Sequence, residues 1–457
     1  MLILKIILGL IGLGIVVFVH ELGHFLAARL VGIDVEAFSI GWGNPIFKKT
    51  IGNVEYRLGL FPIGGYCKMK GSSDFGTSDY KEAYENINNG AKLDKSSYLG
   101  ASPLARIVVS FAGPFFNLIF AVILLSILWG VGFEINTMGN KIVLLSDITP
   151  GQTYPADEAG LKTGDRIVEI EGHEISYFHE ILENIALNPN KPLKLSVERD
   201  GEIIQLNAVP SLDKSRGAGI IGVSFWADPV IESVKEGSAA AIAGLKAGDI
   251  VTSANGVPLR NSYDIRKIMA EKPDRLVLEF ERNGARGQAE FSAEDLEGEL
   301  GFSWASVSYR TPNLSFPTAV SKGVKESYKT LAVSIKSLRL LFMGIDLTQA
   351  VSGPVRITYM MGDVAAQGFQ RGIGMGLRSL TEFLALISIA LCVMNLLPLP
   401  ILDGGMIVLF FVEFIRRKPA HPKVISIFQA CGMVIIFGLL FFAVFGDILF
   451  FIKGAGR

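Results

Sequence analysis

The chain has 457 residues, half of them hydrophobic and 19% charged, with a mean hydropathy of +0.41. Its middle third is as polar as any soluble domain, so the ends are very apolar and a purely soluble enzyme is excluded. Lys+Arg 43 against Asp+Glu 44 leaves a net charge of −1, which gives a nucleic-acid partner no electrostatic footprint. The three cysteines, Cys67, Cys392 and Cys431, are far apart and form no C-x-x-C, which argues against a disulfide scaffold or a cysteine-based zinc site.

Crossing a bilayer takes roughly 20 apolar residues. Residues 1–31 are predicted to form a first span, apolar from Ile3 to Val31 but interrupted by His20-Glu21-Leu22-Gly23-His24. A cleaved signal peptide would also begin with Lys5 and an apolar core, but here the ionisable insert stands where a small-residue cleavage site belongs. Residues 32–104 form a loop. The uncharged run Ile107 to Phe133 places a second span at 105–133.

Ala159-Gly-Leu-Lys-Thr-Gly-Asp165 then matches Ala243-Gly-Leu-Lys-Ala-Gly-Asp249 at an offset of 84 residues. Strand-like runs into turns follow each, Val197-Glu-Arg-Asp-Gly201 and Phe280-Glu-Arg-Asn-Gly284. A repeat of this size means two copies of one small domain, at 134–212 and 213–305.

In the connector at 306–379, Lys322, Lys325, Lys329, Lys336 and Arg339 share one helical face. This is an amphipathic interfacial helix beside the spans, or else a solvated helix docked on protein. A third span is predicted at 380–412, carrying the uncharged run Phe383 to Leu402. Residues 413–457 hold a basic loop, Arg416 to Lys423, and a fourth span from Val424 to Gly446. The basic loops favour the cytoplasmic side. Four spans then put both termini and the insert of about 134–380 on the far side.

The chemistry concentrates in H-E-L-G-H. On a helix, residues i and i+4 share a face, so His20 and His24 can present nitrogens to one zinc ion, with Glu21 placed as general base. Zinc lowers the pKa of its bound water to about 7, making a nucleophile available at neutral pH. A structural polar cluster would use the same residues, yet ionisable groups at bilayer depth are costly and rarely idle. The candidate third ligand is Asp403 in Asn395-Leu-Leu-Pro398-Leu-Pro400-Ile-Leu-Asp403-Gly-Gly405, where two prolines break the helix. An Asp-Gly turn at a helix end is the plainer reading. Spans one and three run in the same direction, however, which brings Asp403 to the depth of His20. Glu382 and Glu413 are weaker alternatives. His173, His179 and His421 are expected at the surface.

Taken together, these motifs resemble the site-2 protease family, and within it the bacterial RseP type of regulated intramembrane zinc metalloprotease. Phe38-Ser-Ile-Gly-Trp-Gly43 resembles the family's F-S-I-G-F-G with Trp42 in place of Phe. Glu55 to Met69 resembles its membrane-associated β-hairpin, and Ala112-Gly-Pro114-Phe-Phe-Asn117 and Ser352-Gly-Pro354 match further segments. The A-G-L-K-x-G-D phrase resembles bacterial protease PDZ domains. The implied fold is a polytopic α-helical membrane protein: four transmembrane helices, two inserted α+β PDZ domains and the hairpin.

The resemblance further implies one Zn2+ per chain on His20, His24 and Asp403, with Glu21 as base and Asn395, Pro398 and Pro400 positioning substrate. An exposed strand edge near Tyr56 and Leu58, with Gly64 and Gly65 permitting tight backbone, would accept an unwound substrate as an added strand. A plain edge strand is the alternative. The implied partners are the lipid bilayer and transmembrane peptides such as anti-sigma factors and remnant signal peptides. The implied location is a bacterial inner membrane, with the PDZ pair periplasmic and excluding bulky substrates. A non-catalytic PDZ adaptor would need no H-E-x-x-H. A serine protease would need a Gly-rich nucleophile motif, which the sequence lacks.

Overall fold

The computed structural model describes residues 2–71, 84–85, 93–149, 151–214, 217–271, 273–296, 298–305, 307–341, 353–370 and 372–452. Most of the expected 32–104 loop between 72 and 92, the side chain of Arg339, and Ser352 lie outside the described residues. The chain divides into two compact units, Met1–Phe133 with Thr311–Arg457, and Glu134–Arg310.

The first unit is helical. Its long helices are α1 (Leu2–Leu30), α2 (Pro103–Val131), α3 (Phe316–Leu341), α4 (Pro354–Gln370), α5 (Ile373–Asn395), α6 (Asp403–Arg416) and α7 (Pro422–Ile452). Among the described residues, four stretches are long and apolar enough to cross a membrane: Lys5–Leu30, Pro103–Val131, Ile373–Asn395 and Pro422–Phe450. Lipid offers no hydrophobic drive to pair helices, so small residues that let backbones meet decide the contacts. Gly23 of α1 lies on the Ala112 carbonyl of α2, Gly9 on the Thr358 carbonyl of α4, and Gly323 of α3 on Ser126 of α2. A Cβ at any of the three would collide with its neighbour.

Several expectations shift. The basic helix α3 docks on protein: Ala319, Gly323 and Ser327 are buried at four-residue spacing, and Leu331 packs against Ala121, Ala385 and Ile389. Lys322 caps the Trp129 ring at 4.7 Å, while Lys325 and Lys336 remain exposed. Residues from Thr311 onward thus belong with the spans, and the insert ends at Arg310 rather than near 380.

The third span starts earlier than the uncharged run, at Ile373. Arg378 and Glu382 pair at 3.0 Å one turn apart, and the Arg378 guanidinium lies 4.5 Å over Phe133. The span also stops at Asn395, and a separate helix α6 begins at Asp403. Pro398 and Pro400 donate no N–H and disfavour helical geometry before them, which opens the non-helical stretch 396–402.

Between α1 and α2, β1 (Val35–Ile51) and β2 (Val54–Met69) form a hairpin around Gly52. Phe38 packs edge-on against Phe18 and Phe25 of α1, with centroids 5.9 and 5.4 Å apart, within a core shared with Ala28, Val109 and Ala112. Because β1 folds back on itself, Tyr56 pairs with both Phe38 and Lys49, and Leu58 with both Ile40 and Phe47. The Tyr56–Leu58 stretch is therefore interior, not the expected open edge. The strand from Gly65 to Met69 pairs with the Val35–Ile40 part of β1.

The second unit contains two matching four-stranded sheets. In the first, the order is His173–Glu174, Arg166–Ile170, Leu193–Arg199, Glu202–Ala208; in the second, Val257–Pro258, Ile250–Ala254, Arg275–Arg282, Ala285–Ser292. The repeated Asp has a physical reason. Asp165 and Asp249, 2% and 0% exposed, take bidentate bonds from Arg199 and Arg282, each of which also reaches the glycine carbonyl of A-G-L, Gly160 or Gly244. The copies divide later than residue 212. Val223–Phe225 pairs with Ile142–Leu144 and Ile221 joins the first core, while Ile231–Val234 pairs with Phe302–Trp304 in the second.

Candidate metal centre

His20 and His24 lie one turn apart on α1, in a stretch with no proline. Asp403 arrives from the start of α6. Their ligating atoms come within 4.8 Å of one another, the one such cluster among the described residues. His20 Nε2 is 3.1 Å from His24 Nε2. The Asp403 carboxylate lies 3.3 Å from His20 Nε2 and 3.5 Å from His24 Nε2. Bonds of about 2.0–2.1 Å at tetrahedral angles set neighbouring ligand atoms about 3.3 Å apart, so two imidazoles and one carboxylate at these spacings fit zinc.

The second span shapes this site. His24 Nδ1 is 2.8 Å from the Val109 carbonyl. A carbonyl only accepts, so Nδ1 carries the hydrogen and the Nε2 lone pair is free for a metal. Gly113 lies against both rings, and a Cβ there would collide with His24 Nε2. Asn117, fully buried, faces His20 Nδ1 at 3.3 Å, and its own Oδ1 has no partner among the described residues. Gly113 and Asn117 were legible only as part of a motif resemblance, because their role depends on α2 lying beneath α1.

Asp403 is held by backbone. Ile401 sits at φ +78, a left-handed conformation that a β-branched residue adopts only when its surroundings impose it. Gly404 and Gly405 press against the carbonyls of Leu396 and Leu399, so the broken stretch packs on the first turn of α6 with no room for a side chain. Pro400 is buried beneath Gly432 of α7. Pro398 is exposed and Asn395, half-buried, closes α5. Eight positions and the helix break separate Asn395 from Asp403.

Glu21 is reached by the hairpin. The Cys67 N–H donates to its carboxylate, and a Cβ at Gly65 would come within 3.1 Å of Glu21 Cγ. Gly65 thus stands beside the centre, and Gly64, at φ +92, leaves room for the Trp42 indole. Tyr56 and Leu58 lie farther into the sheet. The weaker ligand candidates are engaged elsewhere: Glu382 with Arg378, and Glu413 with Arg106 at 2.8 Å and the Ala420 N–H at 2.8 Å. His173, His179 and His421 are exposed.

A two-histidine, one-carboxylate centre whose histidines lie on a helix of membrane-crossing length is the arrangement of a membrane metallopeptidase. The profile of Peptidase family M50 matches residues 8–439, and the chain belongs to that family, the site-2 proteases. A Treponema pallidum protein provisionally named a zinc metalloprotease is 34% identical over 98% of this chain and 99% of its own length. A Borreliella burgdorferi protein of the same name is 31% identical, covering 96% of each. One from Neisseria meningitidis is 30% identical over 95% of this chain and 96% of its own. The chain is a zinc metalloendopeptidase with helices long and apolar enough to cross a membrane.

Proposed function

We propose that this protease cuts peptide bonds inside the transmembrane segments of single-span membrane proteins. The observation that carries the reading is the meeting of His20 and His24, on a helix of membrane-crossing length, with Asp403, which opens the short helix after a second such helix. His20, His24 and Asp403 would hold one zinc ion, which when bound supplies Lewis acidity and lowers the pKa of water. Glu21 takes the proton of the attacking water on its carboxylate and returns it to the departing amide nitrogen.

A transmembrane helix hides its carbonyls in i to i−4 bonds and must unwind before it is cut. The hairpin touches Glu21 through Gly65 and the Cys67 N–H, so an unwound segment held along the hairpin lies within reach of the base. The two repeats are PDZ domains in this reading, which bind peptide or bar bulky substrates on the periplasmic side. The substrates are trimmed anti-sigma factors and remnant signal peptides, and the membrane is the bacterial inner one. The basic loop from Arg416 to Lys423 supports a cytoplasmic placement of that end.

The test compares wild type with Glu21→Gln, each purified in detergent and incubated with a single-span model substrate, with zinc per chain measured alongside. Cleavage by wild type alone, with one zinc in both, is the expected result. Equal cleavage by both proteins would remove Glu21 from the chemistry.

A further inference from the structure

We propose that Asn117 is a positioning residue that fixes the tautomer of His20, so that its Nε2 lone pair is presented to the metal. The inference rests on the reading of His20 as a ligand and adds a member to that site.

The two histidines are anchored differently. His24 Nδ1 meets a backbone carbonyl, that of Val109 at 2.8 Å, and this fixes its ring without ambiguity. His20 Nδ1 meets a side-chain amide, that of Asn117 at 3.3 Å, which has one donor end and one acceptor end. Asn117 is 0% exposed, and its Oδ1 has no partner among the described residues. A buried acceptor left unmet is unfavourable. With Nδ2 toward the ring, Nδ1 must accept and the hydrogen sits on Nε2, closing that atom to a metal. Turning the amide by 180° exchanges its ends within the same space. The stranded oxygen then accepts from His20 Nδ1–H, and both imidazoles direct Nε2 lone pairs at the space beside Asp403.

The amide is well placed to impose this choice. Ser388 of α5 donates to the Asn117 backbone carbonyl at 2.8 Å, with the serine itself 0% exposed. Gly113, one turn earlier on α2, lies against both rings. Asn117 is thus fixed by two spans while it orients a ligand on a third. A hydrogen-bond acceptor behind a metal-bound imidazole also raises its basicity, and loss of such partners typically weakens metal binding about 10–100-fold.

The experiment measures zinc affinity of the full-length protein in detergent by chelator competition, with the metal-free melting temperature beside it. The variants are Asn117→Leu, Asn117→Asp and His20→Phe. Asn117→Leu is expected to bind zinc about 10–100-fold more weakly with a metal-free melting temperature no lower than wild type. Asn117→Asp, which offers only acceptors, is expected to restore affinity to within a few-fold of wild type. A structural role alone would lower the metal-free melting temperature of both variants and give no rescue by Asp. Wild-type affinity in Asn117→Leu, or equal weakness in both variants, overturns the inference. If Asn117→Leu does not fold, the Asp variant decides alone: weakened binding sinks the proposal. His20→Phe separates the two readings. Unchanged zinc there removes His20 from the metal and refutes the site reading itself, whereas lost zinc there with none lost in Asn117→Leu refutes only the positioning role.

Discussion

Arg106 and Glu413 stand 307 positions apart and form an ion pair of 2.8 Å with 7% and 3% of their side chains exposed. Arg106 lies one turn before Val109, whose carbonyl anchors His24, and its guanidinium sits 4.5 Å over the Phe410 ring. Glu413 is on the helix that begins with Asp403. The pair thus ties α2, which cradles the histidines, to α6, which delivers the carboxylate. Removing one partner leaves a buried charge uncompensated, at about 3–5 kcal/mol. Glu413→Leu should therefore lower the melting temperature of the full-length chain sharply. The double variant Arg106→Met with Glu413→Leu should recover most of the loss. A double variant no better than the single would mean that the pair's own attraction, not the stranded charge, holds the helices.

Gly113→Ala adds one methyl group and no polarity. At that position it would meet His24 Nε2 and the edge of the His20 ring, so the imidazoles must turn away. Zinc per chain should fall well below wild type while helical content is unchanged, because the α2 backbone is helical on either side and alanine favours helix. Full zinc occupancy in this variant would show that the rings have space the structure does not give them.

What could be read in advance tracks how local each feature is. H-E-L-G-H is legible because its meaning lies in one helical turn, and Asp403 because two prolines beside it announce a break. Gly113 and Asn117 carry no such signal: an uncharged span containing A-G-P-F-F-N reads only as apolar until α1 is laid against it. The hairpin edge failed for a related reason. Alternation marks Tyr56 and Leu58 as strand, but only the doubling back of β1 shows that both flanks of that strand are filled. The border between repeats was misplaced because Val223–Phe225 returns to pair with Ile142–Leu144, a contact with no trace in local composition.

Ile401 offers a test of stored strain. Both Ile401→Ala and Ile401→Gly remove the same side chain, and elsewhere in a chain the alanine variant would be the more stable. At φ +78 alanine retains the clash between Cβ and backbone and glycine does not, a difference of about 1–2 kcal/mol. Glycine should therefore melt higher than alanine. If alanine melts higher, the positive φ is not a feature of the folded protein in solution.

Asp249 links the second repeat to pH. Burial pushes its carboxyl up, but the bonds and charge of the Arg282 guanidinium, together with the Lys246 N–H and charge, hold it below the ordinary carboxylate value. A depressed carboxylate stabilises the fold above its unfolded pKa of about 4 and ceases to do so as pH falls through the folded value. Arg282→Ala should destabilise residues 227–305 at neutral pH, read by hydrogen exchange in the full-length chain. The gap from wild type should narrow on acidification below about pH 4, where the carboxyl becomes neutral in the variant first. A gap independent of pH would assign the loss to the packing of Arg282 against Phe280 instead of to charge.

Cys67 connects the hairpin to the chemistry through its backbone alone. Its N–H donates to Glu21, and its strand pairs with Val35–Ile40 of β1. Cys67→Pro deletes that donor, while Cys67→Ser keeps it and changes only the half-buried side chain. The proline variant should retain zinc and lose cleavage of a single-span substrate, and the serine variant should behave as wild type. Cleavage at wild-type rate by the proline variant would show that the Cys67 N–H does not serve the base. Loss of zinc in it would show that the hairpin holds the metal centre together instead of serving it.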